Sequence, residues 1–430
     1  MAPDLQITSF TSTLTTARAC PSSGAPSPDR IVVQRLTPIV RSMRPALSFL
    51  YRLPPPVRRA LRRLPGAGAV RRAATGRPRR ESPPAGSSRP LVYLPTWAEW
   101  DVMRQRPQYV VGAFAAAGHP AYFVDPRAPK RRSVGGVEIV PSLEDTPGKD
   151  VILYIHFAPL ADMIDHFENP VVIYDILDDL SIYEPDEVGI PEGRRVRSYH
   201  PSMMERADIV MASAPALIAT HRSERDDIVY VENGVDPGAF GAPAPRPPDV
   251  PDSGGPIAGY HGMIARWFDF DLMDQVARDR RDIHFVLVGP VDPDTVDALS
   301  ALTRHPNVHH LGPRPSSEIA AYVQSFDVGL VPFVVDDLTE AVSPLKMYEY
   351  MAAGVPVVAT QLPVCVQHPM VVTASAPSEF GKAIAEAVVA GANLDYVGAL
   401  RRAAADASWS SRLQPVFDRL ADLDLRRVPD

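Results

Sequence analysis

The chain has 430 residues, enough for two large domains, and no apolar run approaches the roughly 18 residues that a membrane-spanning helix needs. Its two cysteines, Cys20 and Cys365, lie far apart, and no CxxC or His/Cys cluster has zinc spacing, so a disulfide framework and a zinc ribbon are excluded and a cytoplasmic setting is the default. Charge is divided: residues 1–90 carry sixteen arginines, no lysine and three acids, a net +13, whereas the remainder carries −20.

Residues 1–88 are rich in Pro, Ser, Arg and Ala without lasting periodicity, which predicts a mostly disordered extension. Within it, Ile39–Arg63 mixes apolar residues such as Leu47, Phe49, Leu50 and Tyr51 with arginines, and Pro54 to Pro56 break it into two pieces. Short basic amphipathic pieces of this kind suit peripheral contact with the anionic inner face of a membrane; a plain unstructured tail is the bland alternative. No aromatic residues are spaced along it as base-stacking platforms, so nucleic acid is not an expected partner.

From Leu91 onward short apolar runs alternate with helical stretches. Predicted strands are Leu91–Leu94, Ala121–Val124, Val151–Ile155, Val171–Tyr174, Ile209–Ala212 and Ile228–Val231, with a helix over Pro107–Ala117 stopped by Gly118. This alternation predicts a doubly wound α/β domain over residues 89–240. A Pro-rich linker, 241–256, follows. The pattern then restarts over 257–405 with strands Ile257–Tyr260, His284–Val288, Val308–Leu311, Val328–Val331, Val355–Ala359 and Met370–Val372. Residues 406–430 hold a last helix whose stripe includes Trp409, Leu413, Val416, Phe417 and Leu420. Two Rossmann-like domains facing a central cleft are therefore expected.

Several residues near predicted strand ends can carry chemistry. Arg106, beside Pro107 in the opening turn of a helix, is placed where a phosphate can sit, and Trp97 or Trp100 can stack on a sugar. His156 can orient an acceptor. Asp178 and Asp179 follow a strand; adjacent carboxylates can hold a divalent metal or, more modestly, contact an acceptor hydroxyl. Gly259 and Gly262 flank His261 and allow a diphosphate close to the backbone, but a full GxGxxG is absent, which disfavours a dinucleotide.

The most informative stretch is Ser343–Thr360, SPLKMYEYMAAGVPVVAT. Ser343 reads as a helix cap, Pro344 as a first-turn residue, and Gly354 as the stop before a core strand. Lys346 falls in the first turn, where the helix dipole disfavours a cation by roughly 0.3–1 kcal/mol, a cost that an anion on the free amides reverses. Glu349, one turn on, projects from nearly the same face and can accept two hydroxyl hydrogens. An anion binder beside a diol binder suits a nucleotide diphosphate. The bland alternative is an exposed Lys346–Glu349 pair worth a few tenths of a kcal/mol.

This stretch, with Arg106-Pro107-Gln108 and Tyr174-Asp175-Ile176-Leu177-Asp178-Asp179, resembles a bacterial branch of GT-B glycosyltransferases with the family 4 type of C-terminal domain. The resemblance implies that Glu349 holds the ribose of a sugar nucleotide, with Ser343, Lys346 and Gly262 at the diphosphate. It implies that Arg266 supplies a further positive charge, although the usual Lys-Gly is absent, and that the loop with Arg314 cups the nucleobase. The final helix would cross back to the first domain, and Asp178 would serve without a required metal. The first glutamate of the family signature falls on Ala341 here, which leaves donor identity and activity open. The implied reaction is transfer of a sugar from a nucleotide diphosphate to an acceptor hydroxyl, retaining and metal-independent, with no cofactor. Glycan, lipid-linked and small-molecule acceptors stay open. So do two other readings, a non-catalytic GT-B scaffold and a sugar-nucleotide epimerase.

Overall fold

A computed structural model of the protein describes residues 88–96, 98–179, 191–252 and 254–427. The expectations placed on residues 1–87 and on Trp97 lie outside the described residues. Two parallel sheets form the framework, each from short runs of β-branched and aromatic residues buried on both faces, as parallel strands require.

The first sheet has eight strands in the order β3-β4-β2-β1-β5-β6-β7-β8, where β1 is Leu91–Tyr93, β2 Ala121–Val124, β3 Arg132–Val134, β4 Val137–Val140, β5 Ile152–Ile155, β6 Val171–Ile176, β7 Ile209–Ala212 and β8 Val229–Tyr230. All neighbours run parallel except the β3–β4 hairpin, which the apolar pattern did not announce. That hairpin turns on Gly135 and Gly136, both at positive φ (57° and 80°), the geometry of a tight primed turn. Its first strand is only three residues long with Val134 exposed, so no apolar run marks it.

The second sheet joins β9 (Ile257–His261), β10 (His284–Val288), β11 (Val308–Gly312), β12 (Val328–Val331), β13 (Val357–Ala359) and β14 (Val371–Thr373) in the order β11-β10-β9-β12-β13-β14. Counted within this lobe that is 3-2-1-4-5-6, the doubly wound order, with its switch point between β9 and β12. In the first sheet the corresponding reversal falls between β2 and β5, at β1.

Residues 241–256, read as a linker, pack on the second lobe. Phe240 and Val250 join its core, and the Gln324 side chain donates to the carbonyls of Phe240 (2.8 Å) and Ala242 (2.7 Å). The final helix, Trp409–Arg427, lies on the first lobe: Trp409, Leu413, Val416 and Leu420 share its core with Val110 and Phe114. The chain thus crosses between lobes twice, and the crossings touch. Val235 N donates to Ala407 O (3.0 Å) and Trp409 N to Val235 O (3.2 Å). A β-carbon on Gly234 would meet Ala407 O at 2.8 Å, so only glycine admits this approach. Among the described residues no single helix is long and apolar enough to cross a membrane.

Candidate active site

The carboxyl ends of both sheets open on one cavity of about 670 Å³, within the range of small-molecule sites. From the first lobe come residues 102–107, Tyr109, Leu177 and Asp178; from the second, the loops after β9, β10, β11 and β12 and the start of helix α1 (Leu345–Ala353).

Helix α1 stops where expected: Gly354 takes the left-handed conformation (φ 81°), and its amide caps the last turn. Its start differs from expectation. Pro344, not Ser343, is the N-cap residue, and no side chain caps the helix. Ser343 is instead turned to the connection between lobes, where its carbonyl accepts from Asn233 Nδ2 at 2.6 Å and its Oγ from the Asn233 amide at 3.4 Å. The uncapped first turn forms part of the cavity wall.

Lys346 and Glu349 line that cavity together. The Lys346 ammonium sits over the rings of Phe333 (4.7 Å to the centroid) and Tyr260 (4.9 Å), and no carboxylate among the described residues lies within ion-pair distance. Burial pulls its pKa down from 10.5 to about 8. Gly262, at φ 117°, brings its backbone under this ammonium; a β-carbon there would lie 3.6 Å from Nζ. Glu349 is buried. Its Oε1 accepts from Tyr109 Oη of the first lobe at 2.9 Å, and its Oε2 lies 3.1 Å from His261 Nε2. Each oxygen keeps further lone pairs for a ligand hydroxyl.

Other expectations change. Arg106 lines the cavity but is committed elsewhere: Nε and Nη2 make a two-pronged pair with Asp175 (2.8 and 3.1 Å), and Nη1 donates to Asn233 Oδ1 (3.0 Å). Tyr154 Oη donates to the same Asp175 at 2.7 Å. A guanidinium held this way orders the lobe junction and does not stand ready for a phosphate. Arg104, two residues earlier, lines the cavity over the rings of Tyr109 (5.0 Å) and Trp100 (5.7 Å), with no carboxylate partner among the described residues. The sequence pattern marks Arg106 and not Arg104, because spacing does not tell which arginine a buried aspartate takes.

Arg266 is exposed and not on the cavity wall, since Ile264 and Ala265 turn into the core and rotate the next side chain outward. Trp267 lines the cavity in its place. Arg314 lines the far end, paired with Asp249 and donating to Tyr322 Oη at 2.7 Å. Asp178 lines the cavity without Asp179; burial, then Asp175, pushes its carboxyl up to about 6. His156 is buried beside Tyr93, ring centroids 5.6 Å apart and nearly parallel, and is not on the wall; burial and then Arg106 lower its pKa to about 3, so the ring is neutral. Trp100 packs edge-on against Phe123 at 5.1 Å and is core, not a sugar platform. Ala341 is buried with the core of the first lobe and is not itself on the cavity wall, although Thr339 and Val342 beside it are.

Comparison with known proteins places these features. Residues 265–390 match the family model described as "Glycosyl transferases group 1". Over 177 residues the chain is 32% identical to a Bacillus subtilis (strain 168) protein named as the teichuronic acid biosynthesis glycosyltransferase TuaH; the match covers 39% of this chain and 44% of that protein, less than half of the relative's length. In architecture it is similar to a sucrose-phosphate synthase from Thermosynechococcus elongatus (TM-score 0.60, 15% identity, 79% of this chain and 100% of the other). It is also similar to an E. coli trehalose-6-phosphate structure bound with UDP-2-fluoro glucose (TM-score 0.56, 11% identity, 80% and 100%). The fold is GT-B, and the family match falls within its second lobe.

Proposed function

We propose that the protein transfers a sugar from a nucleoside diphosphate sugar to an acceptor hydroxyl. One observation carries the reading: a desolvated Lys346 ammonium with no carboxylate partner among the described residues, the uncapped start of its helix, the bare backbone of Gly262 and the Glu349 carboxylate converge at the carboxyl ends of the second sheet. A diphosphate would supply the charge that Lys346 lacks, and the ribose hydroxyls would donate to Glu349. As the glycosidic bond to the donor breaks, negative charge grows on the diphosphate, and a preorganised cation and helix amides lower that barrier without solvent reorganisation. Arg104 supports the same end of the cavity from the first lobe.

The acceptor would enter beside Asp178, whose raised pKa suits a group that takes a hydroxyl proton near neutrality. Independence from metal goes with this reading, since the leaving diphosphate already has cationic partners, and retention of anomeric configuration is taken from the family resemblance. A cell-surface polysaccharide is the acceptor class that the teichuronic acid relative favours. Calorimetric titration with UDP and GDP tests the donor site directly: saturable heat with one of them is the expected outcome, and no heat with either removes the proposal in favour of a non-catalytic scaffold. Mass spectrometry of products from a nucleotide-sugar panel then separates transfer from epimerisation.

A further inference from the structure

A second cluster of chemistry-bearing side chains lies in the first lobe, off the cavity wall. His200, in the helix Pro191–Arg206, and His221, at the end of the helix Pro215–His221, meet Glu224 in the following turn. His200 Nε2 is 3.1 Å from His221 Nδ1, His221 Nδ1 is 3.0 Å from Glu224 Oε1, and His200 Nε2 is 3.5 Å from Glu224 Oε2. Both rings are buried, while the Glu224 side chain is 39% exposed.

Three ligand-type atoms converge in this triangle, with few protons to share between them. If His221 Nδ1 carries a proton toward Glu224, it cannot also accept one from His200 Nε2. If it accepts from His200, its lone pair faces a carboxylate oxygen at 3.0 Å. With the His200 proton on Nδ1, a single His221 Nδ1–H is shared between His200 Nε2 and Glu224 Oε1, and among the described residues His221 Nε2 is buried with no hydrogen-bond partner. A cation at the centre takes the place of that shared proton, and all three groups then point lone pairs at one atom. The spacing suits one: tetrahedral Zn²⁺ with bonds of about 2.0–2.1 Å places its ligand atoms about 3.3 Å apart. His200 Nδ1 meets Tyr174 Oη at 2.9 Å, the outer partner that holds a ligating imidazole in its tautomer.

We propose that His200, His221 and Glu224 bind a borderline divalent transition cation, zinc in the first instance, with solvent in the fourth position on the exposed Glu224 side. Two imidazoles and one carboxylate favour such a cation over magnesium or calcium. The site is structural: it ties the helix Pro191–Arg206, which packs under β6, to the turn after the next helix. It stands independently of the sugar-transfer reading.

The test uses the full chain, stripped with chelator, desalted and titrated with Zn²⁺ alone. The expected result is one zinc per chain by elemental analysis and a melting temperature raised by a few degrees. His200→Gln and His221→Gln abolish retention. Because buried histidines also contribute packing, Glu224→Gln decides: its partly exposed side chain keeps its shape and loses its charge, and zinc retention should fall at least tenfold in a chain that still melts cooperatively. Tyr174→Phe should weaken zinc by about 10- to 100-fold. A stripped wild-type chain that takes up no zinc, or a Glu224→Gln chain that holds it as tightly as wild type, overturns the site.

Discussion

The two walls of the cavity each present a cation at the start of a helix, and the pair teaches more than either alone. Arg106 in the first lobe is buried against Asp175 and Asn233, so its charge is spent on joining strand β6 to the connection between lobes. Lys346 in the second lobe lies against aromatic rings, and no carboxylate among the described residues is within ion-pair distance of it. A positive side chain beside a cavity is a ligand group only when the fold withholds a partner from it. Of these two cations, the one in the first wall orders the junction, and the one in the second wall is left open to the cavity.

The sharpest way to break this contrast is to remove the partner of Arg106. Asp175→Ala leaves a buried guanidinium without its carboxylate and should cost about 3–5 kcal/mol of stability in urea unfolding. Wild-type stability together with tighter nucleotide binding would instead make Arg106 a ligand group. Next in size, Lys346→Ala should weaken UDP or GDP binding by about 10- to 100-fold, the worth of a hydrogen bond to a charged group, with little loss of stability; calorimetry reads the first and thermal melting the second. Tyr109→Phe removes the donor that joins Glu349 to the opposite lobe and should lower stability by about 1.5 kcal/mol. An unchanged unfolding midpoint would show that this tie between the walls is not energetically significant.

The pH dependence sharpens the comparison further. Burial holds Lys346 near 8 against an ordinary 10.5, so between those values the unfolded chain binds more protons than the folded one. The penalty of the buried ammonium is full below pH 8 and is relieved as pH rises toward 10.5. Relative to Lys346→Met, the wild-type chain should gain stability across that window, while its affinity for a diphosphate declines. Parallel stability curves for the two proteins would contradict this. The smallest effect is expected for Arg314→Ala at the rim, where loss of the half-exposed pair with Asp249 should cost less than about 1 kcal/mol and change nucleotide affinity little.

Much of the architecture was legible because local rules and the global fold agree. Runs such as Ile209–Ala212, His284–Val288 and Val328–Val331 are strands with the bounds read from the sequence, since an uninterrupted apolar run with flanking helices leaves a buried parallel strand as its solution. Gly354 ends its helix because a left-handed residue is needed there and glycine alone takes it without strain. The turn from Lys346 to Glu349 brings both to one face by helical period alone. Where local cues were ambiguous the reading slipped: Ser343 has the residue type of a cap, but its hydrogen bonds go to Asn233, 110 positions away in sequence.

The sequence by itself determined the two sheets apart from the β3–β4 hairpin, the helix that presents Lys346 and Glu349, and the glycine beside them, because each depends on periodicity and backbone freedom within a short window. Tertiary structure alone decided which charges are neutralised. Asp175 took Arg106 rather than Arg104, the turn through Ile264 pointed Arg266 outward, and two helices brought His200 and His221 together. Those outcomes depend on distances between residues far apart in the chain, which no local spacing encodes, and in a buried setting such distances set what a charge can do.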